Sequence, residues 1–348
     1  MTAENKSAEK NRLSVVAPLA LREPGVDPAS WRAAAEHEGH WRIRCMLLTF
    51  MRMFRQEDLE VFLCVCPDAE VAQLRELLAT LTTDPRYQVL PESELCPDTA
   101  SVRDPHTGRP SGWHIQQLLK LAVAERITTP FYLTLDSDIL CCRPFHLGDL
   151  VRDGRARTGI ESIDDYLRIY TPAFAQQEMT VKAQRQIGSE RLLGWQRGPL
   201  QRKRSFSETP VLLHAGQVRQ LTRHLENQHQ LPWRTVLARN VPMWTEYTLY
   251  YGFLAMRGVL NRFCDVSGCN TVLHLEKSAW QPRSRYRHPR SYRTADIQGG
   301  SGGPFVALQS WLPAAEWLPD GVADIDDYYR ELLSAVMDPA TPPAPAES

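Results

Sequence analysis

Hydrophobic and polar positions along this chain switch repeatedly between two periods, and their order predicts an α/β protein. Residues 13–21 (LSVVAPLAL) read as a first strand. A helix rich in arginine and large apolar side chains is expected over about 41–55. It is followed by a second strand at 61–66 (VFLCVC), closed by Pro67 and Asp68. Over 70–81, Val71, Leu74, Leu77, Leu78 and Leu81 recur at helical spacing. A short strand at 87–90 leads through a turn-rich loop at 96–112 into a helix over about 113–126, and then into the unbroken apolar run 131–135. A run without polar alternation marks a strand covered on both faces. Strands and helices alternating in this way give a mostly parallel central sheet flanked by helices, an α/β architecture of Rossmann-like type.

The second half is less regular. Residues 163–187 are predicted helical with a break near Pro172, and 194–207 (GWQRGPLQRKRSFS) form a basic, polar surface loop. A strand at 211–214, helices at 215–227 and 245–257, and a last strand at 305–308 follow, the last preceded by the glycine-rich 299–303. A C-terminal helix is expected over 325–336. His224 and His229 fall in a polar helix end and are expected to face water. Residues 1–12 and the Pro/Ala-rich 339–348 read as disordered ends. The expected organisation is one domain over 13–315, with halves at 13–150 and 151–315, and a C-terminal helical extension at 316–338.

Composition narrows the function. Among 348 residues, 40 Lys and Arg stand against 41 Asp and Glu, a net charge of -1. Such a balance lacks the basic excess that supplies most nucleic-acid affinity, so no nucleic-acid partner is expected. No stretch approaches the ~20 continuous apolar residues of a membrane helix. The polar start MTAENKSAEKNR lacks the pattern of a signal peptide, and a cytoplasmic location is expected. The eight cysteines show no paired CxxC spacing, and Cys64, Cys66, Cys141 and Cys142 lie in apolar runs as small hydrophobes. Only six of the 40 basic residues are lysines, at 6, 10, 120, 182, 203 and 277.

Candidate chemistry concentrates at 133–144, LTLDSDILCCRP. Asp136 and Asp138 come immediately after the buried run, where the chain leaves the sheet. Ligands of open α/β sheets bind outside the carboxyl ends of the strands. Two carboxylates one residue apart at such an edge can face one hard cation, and Mg²⁺ or Mn²⁺ suits oxygen ligands while leaving positions for substrate phosphates. Asp324 and Asp326 repeat the spacing, but they open an amphipathic helix, where the N-terminal dipole favours acidic side chains.

The segment GWHIQQLLKLAVAERITTPFYLTLDSDILCCRPF (112–145) resembles the nucleotide-sugar-binding half of GT-A glycosyltransferases. It is most similar to a bacterial group of nucleotide-diphospho-sugar-transferase-like proteins. These pair a W-x-x-Q-Q-x-x-K helix with a strand ending in D-x-D and a following R-P. Trp113, Gln116, Gln117, Lys120, Asp136, Asp138, Arg143 and Pro144 carry that pattern here. The resemblance implies a GT-A-like fold and a metal-dependent glycosyltransferase using a UDP- or GDP-linked sugar and an unidentified acceptor. Asp138 would bind the metal, with Asp136 on the metal or the ribose. Trp113, Gln117 and Lys120 would line the donor site; Gln117 shares the face of Lys120, whereas Gln116 points elsewhere. Glu246, at the start of the 245–257 helix behind the N-cap Thr245, would contact or deprotonate the acceptor hydroxyl, with Trp244 and Tyr247 against the acceptor. His274 is the candidate third metal ligand, with His214 and Asp265 behind it. The rival readings are a catalytically silent nucleotide-sugar-binding or scaffold protein of the same fold and a nucleotidyltransferase. The latter needs a glycine-rich basic loop after the first strand, where this chain has APLALREPGVDP.

Overall fold

The computed structural model describes residues 12–21, 33–97, 99–104, 107–195, 204–266, 272–288, 290, 292–297, 302–309, 311–316, 318–319, 322 and 324–337. Seven strands position the site: β1 (Leu13–Pro18), β2 (Leu59–Cys66), β3 (Tyr87–Pro91), β4 (Phe131–Thr134), β5 (Ile139–Cys141), β6 (Val211–His214) and β7 (Phe305–Ala307). The central sheet has the order β6-β4-β1-β2-β3. β1 pairs in parallel with β2 and β4, and β2 with β3, while β6 runs antiparallel at the edge. This is the mostly parallel sheet the sequence pattern predicts. The order makes β1 and β4 a topological switch point: the chain builds outward from β1 to β3, then returns to the other side of β1. A cleft opens at the carboxyl ends of such a pair.

Among the helices of the described residues, those used below are α1 (Ala33–Met53), α2 (Val71–Leu81), α3 (Gly112–Ala122), α4 (Pro172–Leu192), α5 (Ala215–His229), α6 (Trp233–Arg239), α7 (Glu246–Met256) and α8 (Ile325–Met337). Successive strand side chains point to opposite faces, and the core divides accordingly. Val15, Cys64, Leu133 and Leu212 join Phe50 of α1, Phe54 just beyond it and Phe145 in one buried cluster. Their neighbours Val16, Leu63, Val65, Tyr132 and Leu213 join α3, α5 and α7 in another. Both faces are therefore covered, which is why these strands read as unbroken apolar runs.

Several elements differ from the sequence reading. α1 begins at Ala33 rather than near residue 41; its first turns (AAAEHEGH) hold good helix formers but no large apolar side chain to give a period. α6 has no counterpart in the sequence reading, and Trp233, Val236 and Leu237 bury it. β5, unforeseen, pairs antiparallel with β7, Cys141 opposite Phe305. The predicted break near Pro172 is present: a short helix, Ile163–Ile169, ends at Tyr170, and Pro172 opens α4, where its missing N–H costs nothing in the first turn. α8 docks on α1 through buried Tyr328, Tyr329, Leu332 and Val336, with the Tyr328 hydroxyl donating to Tyr292 O at 2.6 Å. His224 and His229 do not face water: their Nε2 atoms lie 3.0 and 2.7 Å from Leu193 O and Leu192 O. A carbonyl only accepts, so both rings donate to the last carbonyls of α4. The seven described cysteines are buried and free, as the apolar runs imply. Cys269, the disordered-end assignments at 1–11 and 339–348, and residues 196–203 and 299–301 lie outside the described residues. Among the described residues, no helix is long and apolar enough to cross a membrane.

At the carboxyl ends of β2 and β3, Glu92 sits half-buried near Asp68 and Glu70. Burial, then the charges of Asp68 and Glu70, push its carboxyl up to about 7. A carboxyl that holds its proton more tightly when folded contributes its full stability below the unfolded value. That contribution is lost as pH rises through the folded one. Stability should therefore fall between about pH 4.5 and pH 7, by on the order of 2 kcal/mol after allowance for solvent screening. Glu92→Gln should leave the melting temperature near pH 4.5 unchanged and raise it at pH 8; an unchanged value at pH 8 would contradict this origin.

Candidate active site

The helix that carries Lys120 is α3. Its face of Ile115, Leu118, Leu119 and Ala122 packs on the sheet, and the same rotation buries Gln117 and Lys120 on the side toward β4. Lys120 lies in the last turn, where the helix dipole favours a cation. α7 is fixed by a capping box: Thr245 Oγ1 accepts the Thr248 N–H, and Thr248 Oγ1 accepts the Thr245 N–H. The N-cap assignment of Thr245 thus matches the structure. Glu246 follows in the first turn, and its N–H donates to Gln117 Oε1 at 3.2 Å. α4 backs this turn closely, since a Cβ on Gly188 would collide with Met243 O, and Ser189 Oγ lies 2.7 Å from Thr248 Oγ1.

These elements meet at one ion cluster. Lys120 Nζ lies 2.6 Å from Asp136 Oδ1 and 3.0 Å from Glu246 Oε1, and it donates to the Tyr247 hydroxyl at 3.2 Å. The Tyr247 hydroxyl lies 2.9 Å from Thr134 Oγ1, which donates to Val211 O, so the cluster is tied to β4 and β6. Side-chain exposure is 4% for both Lys120 and Glu246, against 24% for Asp136. Burial alone would lower the Lys120 pKa, but Asp136, Tyr247 and Glu246 outweigh it and hold the ammonium well above its ordinary value. Burial, with the charge of Asp136 behind it, raises the Glu246 carboxyl despite Lys120. The cluster of one ammonium and two carboxylates carries one net negative charge. Lys120 therefore neutralises carboxylates here and does not present an open charge to a phosphate.

The cluster forms part of the wall of a cavity of about 510 Å³. Trp113, Gln116, Gln117 and Lys120 line it from α3, Asp136 and Asp138 from the end of β4, and Thr245, Glu246 and Tyr247 from α7. Gln116 joins Gln117 on the lining, so adjacent positions on α3 both reach the cavity, contrary to the one-face expectation. Asp138 is buried, and its backbone carbonyl accepts the Leu308 N–H at 2.9 Å. Glu178 and Arg185 of α4 with Glu208 form another wall. Behind it, buried Lys182 lies 3.0 Å from Glu161 and 3.6 Å from Glu208, and Arg185 donates to Glu208 at 3.0 Å. Burial would raise the Glu208 carboxyl, but Lys182 and Arg185 outweigh it and lower its pKa. Burial raises that of Glu178. The ionisable lining thus comprises two cations and five carboxylates, formally three net negative charges.

Other expected residues sit elsewhere. Trp244 is fully buried, and its indole N–H donates to Leu237 O at 3.0 Å, so it is a core side chain that no sugar can touch. Tyr247 does line the cavity, but its hydroxyl is engaged by Lys120 and Thr134. His274 is not on the lining; its ring lies against the backbone of Gly302, where any Cβ would strike it. Among the described residues, no three His, Cys, Asp or Glu side chains are grouped to hold a metal, so a third ligand from His274 is not assembled. His214 caps α5, its Nδ1 accepting the Gln217 N–H, and Asp265 lies in a small strand away from the lining. The lining residues Glu178, Arg185, Glu208, Trp280, Gln281, Gln309 and Trp311 were not anticipated. One signal was available for the α4 wall: Glu178, Lys182 and Arg185 fall at i, i+4 and i+7 on one helical face.

The chain belongs to the family described as a family of unknown function, DUF6492, whose model matches residues 10–333. No curated protein matches it. Among solved structures it is similar to apo mouse xyloside xylosyltransferase 1, at 10% identity over 87% of this chain and 99% of that one, with a TM-score of 0.45. It is also similar to the galactosyltransferase LgtC in complex with donor and acceptor sugar analogs, at 13% identity over 93% and 96% of the two chains, with a TM-score of 0.44. At scores below 0.5 the functional reading rests on the cavity itself.

Removing one member of a buried ion cluster strands its partners. Lys120→Met should lower unfolding free energy by about 3–5 kcal/mol, measured by urea denaturation. The triple variant with Asp136→Asn and Glu246→Gln should recover most of that loss. A single-variant loss below about 1 kcal/mol, the scale of an exposed pair, would contradict the burial argument.

Proposed function

We propose that this chain is a glycosyltransferase of GT-A type, moving a sugar from a UDP- or GDP-linked donor to a separate acceptor with Mg²⁺ or Mn²⁺. The observation that carries the reading is the cavity at the β1/β4 switch point, where Asp136, Asp138 and Glu246 converge with three net negative charges. An anionic diphosphate has no favourable entry to such a cavity without a companion cation. The donor set suits a hard one: all oxygen, two carboxylates at a strand end, and room for phosphate oxygens and water. Asp136 and Asp138 are the residues to hold it. Asp136 can do so while holding Lys120 through Oδ1, because a carboxylate accepts at two oxygens. When bound, the metal neutralises charge on the departing diphosphate.

The chain's own residues supply the remainder. The bond from the anomeric carbon to the diphosphate oxygen breaks, a bond to the acceptor oxygen forms, and the acceptor proton must leave. Glu246 takes that proton; burial has raised its affinity for one. Lys120 still has Asp136 as counter-ion when Glu246 is protonated, so the cluster passes from one net negative charge to none and no buried cation is stranded. Lys120 and Gln117 are positioning residues for Glu246, and the capping box of α7 holds its backbone. One observation favours the alternative of a silent nucleotide-sugar-binding protein: Glu246 Oε1 is already engaged by Lys120.

Calorimetry with UDP and GDP, with and without Mn²⁺, tests the donor site. Binding should require the metal and weaken by roughly 100-fold or more in Asp138→Asn, since loss of a direct ligand should cost at least as much as the ~10–100-fold typical of an outer-shell partner. If neither nucleotide binds in the presence of Mn²⁺, the transferase reading fails. Slow hydrolysis of a nucleotide sugar, with water in place of the acceptor, should disappear in Glu246→Gln while nucleotide binding persists. Equal hydrolysis in both proteins would remove the base role, and binding without any hydrolysis would favour the silent protein.

A further inference from the structure

Two segments from late in the chain reach the cavity beside Asp138, and neither the ion cluster nor the carboxylate pair uses them. The Leu308 N–H donates to Asp138 O at 2.9 Å, the Ala279 N–H to Ala307 O at 2.8 Å, and the Gln309 N–H to Ala279 O at 3.0 Å. These bonds lay 279–281 and 307–309 side by side against the end of the aspartate turn. Trp280 and Gln281 are further held by their N–H groups, which donate to the Tyr286 hydroxyl at 2.9 and 3.0 Å. Beyond Gln309 the chain turns, closed by the Leu312 N–H on Gln309 O at 3.1 Å and anchored by the buried Leu312 side chain. That turn carries Trp311 at 57% exposure.

An anchored turn that presents an indole to water needs a reason, because the same turn could carry a polar residue without leaving apolar surface exposed. The described residues include four exposed large hydrophobic side chains, and two of them, Trp311 and Trp113, lie in this one cavity. Trp113 has the Arg185 guanidinium over its ring at 5.0 Å, whereas Trp280 and Trp311 stand with the amides of Gln281 and Gln309. A sugar ring has an apolar C–H face and an edge of hydroxyls. Indole faces attract polarised C–H groups through their quadrupole, and primary amides both donate to and accept from hydroxyls. The charge balance of the cavity selects further: three net negative charges disfavour an acceptor that is itself anionic.

We propose that Trp280, Gln281, Gln309 and Trp311 form a subsite for a neutral carbohydrate, which is the acceptor. The assignment as acceptor rests on the transferase reading above; the carbohydrate subsite does not.

The test is an array of neutral, acidic and amine-bearing glycans probed with the labelled full chain, followed by calorimetry on the best neutral binder. Neutral glycans should be retained, and Trp311→Ala should weaken the best of them by roughly tenfold or more, as expected for an aromatic anchor. Binding of UDP with Mn²⁺ should stay unchanged in that variant, which also shows that it is folded. Retention of no neutral glycan, preference for acidic or amine-bearing ones, or an affinity unchanged by Trp311→Ala would overturn the subsite. A Trp311→Ala protein that loses UDP affinity instead would assign the indole to the nucleobase and overturn it equally. Wild-type protein that binds a neutral glycan but neither UDP nor GDP with Mn²⁺ would overturn the acceptor assignment and the transferase reading, and leave the carbohydrate subsite standing.

Discussion

One buried ammonium holds three elements around the cavity in register. Lys120 comes from α3, Asp136 from the end of β4 and Glu246 from the first turn of α7, the last 126 residues away along the chain. None of the three could be buried alone, since an unpaired charge in this environment costs several kcal/mol. Together they leave one net negative charge at the cavity surface. The pairing therefore fixes the relative placement of three elements and also sets the protonation behaviour of Glu246, the proposed base. It further explains why Gln117 lies where it does. The first N–H groups of a helix need acceptors, and burying Glu246 against Lys120 leaves its N–H facing α3.

The same device recurs one wall away. Lys182 is buried between Glu161 and Glu208, with the Tyr166 hydroxyl donating to Glu161 at 2.7 Å. In a chain with 34 arginines and six lysines, two of the lysines sit at these junctions. A compact ammonium with three donors fits between carboxylates inside a tightly packed wall, where a planar guanidinium fork requires more room. The lysine positions that composition leaves scarce thus mark the two places where the acidic lining is tied to the scaffold. The outcome for the cavity is asymmetric: Glu208 is held ionised by its cations, while Glu178 and Glu246 are shifted by burial toward the protonated form. Environments that push like groups apart are what acid–base chemistry at a single pH requires.

Legibility in the sequence followed periodicity. β1 to β4, α2, α3 and α7 carry either unbroken apolar runs or clear helical spacing, so their order and the resulting parallel sheet could be read directly. Asp136 and Asp138 stood out because they follow the most apolar run, and the structure puts them at the switch point. What depends on distant partners was not legible. Trp244 and Glu246 are two residues apart, yet one is sealed in the core and the other lines the cavity. Only the rotation of α7 against α3 and α4 decides that, and the helix is apolar nearly all round. The 279–281 segment and the 308–309 end beyond β7 carry no period, being held by backbone bonds to Asp138 and to each other. His274 looked like a late metal ligand because its place after the acceptor helix fits the order the resemblance implies, but Gly302 allows backbone to close over its ring.

The charge distribution also bears on which group could meet a diphosphate. A lysine beside an acidic motif invites the reading of a phosphate-binding cation, and Lys120 has the right address for it. Its two carboxylate partners at 2.6 and 3.0 Å, however, already exceed its charge. A phosphate approaching the cluster would meet net repulsion, and any gain would require separating a buried pair. Arg185 is the other cation of the described lining, and it is shared between Glu208 and the face of Trp113. Neither is free to neutralise two phosphate charges, so on the proposed reading an anionic donor arrives with its own counter-charge, held by the carboxylates at the end of β4. On that reading, a lining unfavourable to a bare diphosphate is complementary to a metal–diphosphate complex. One balance of five carboxylates against two cations accounts for both.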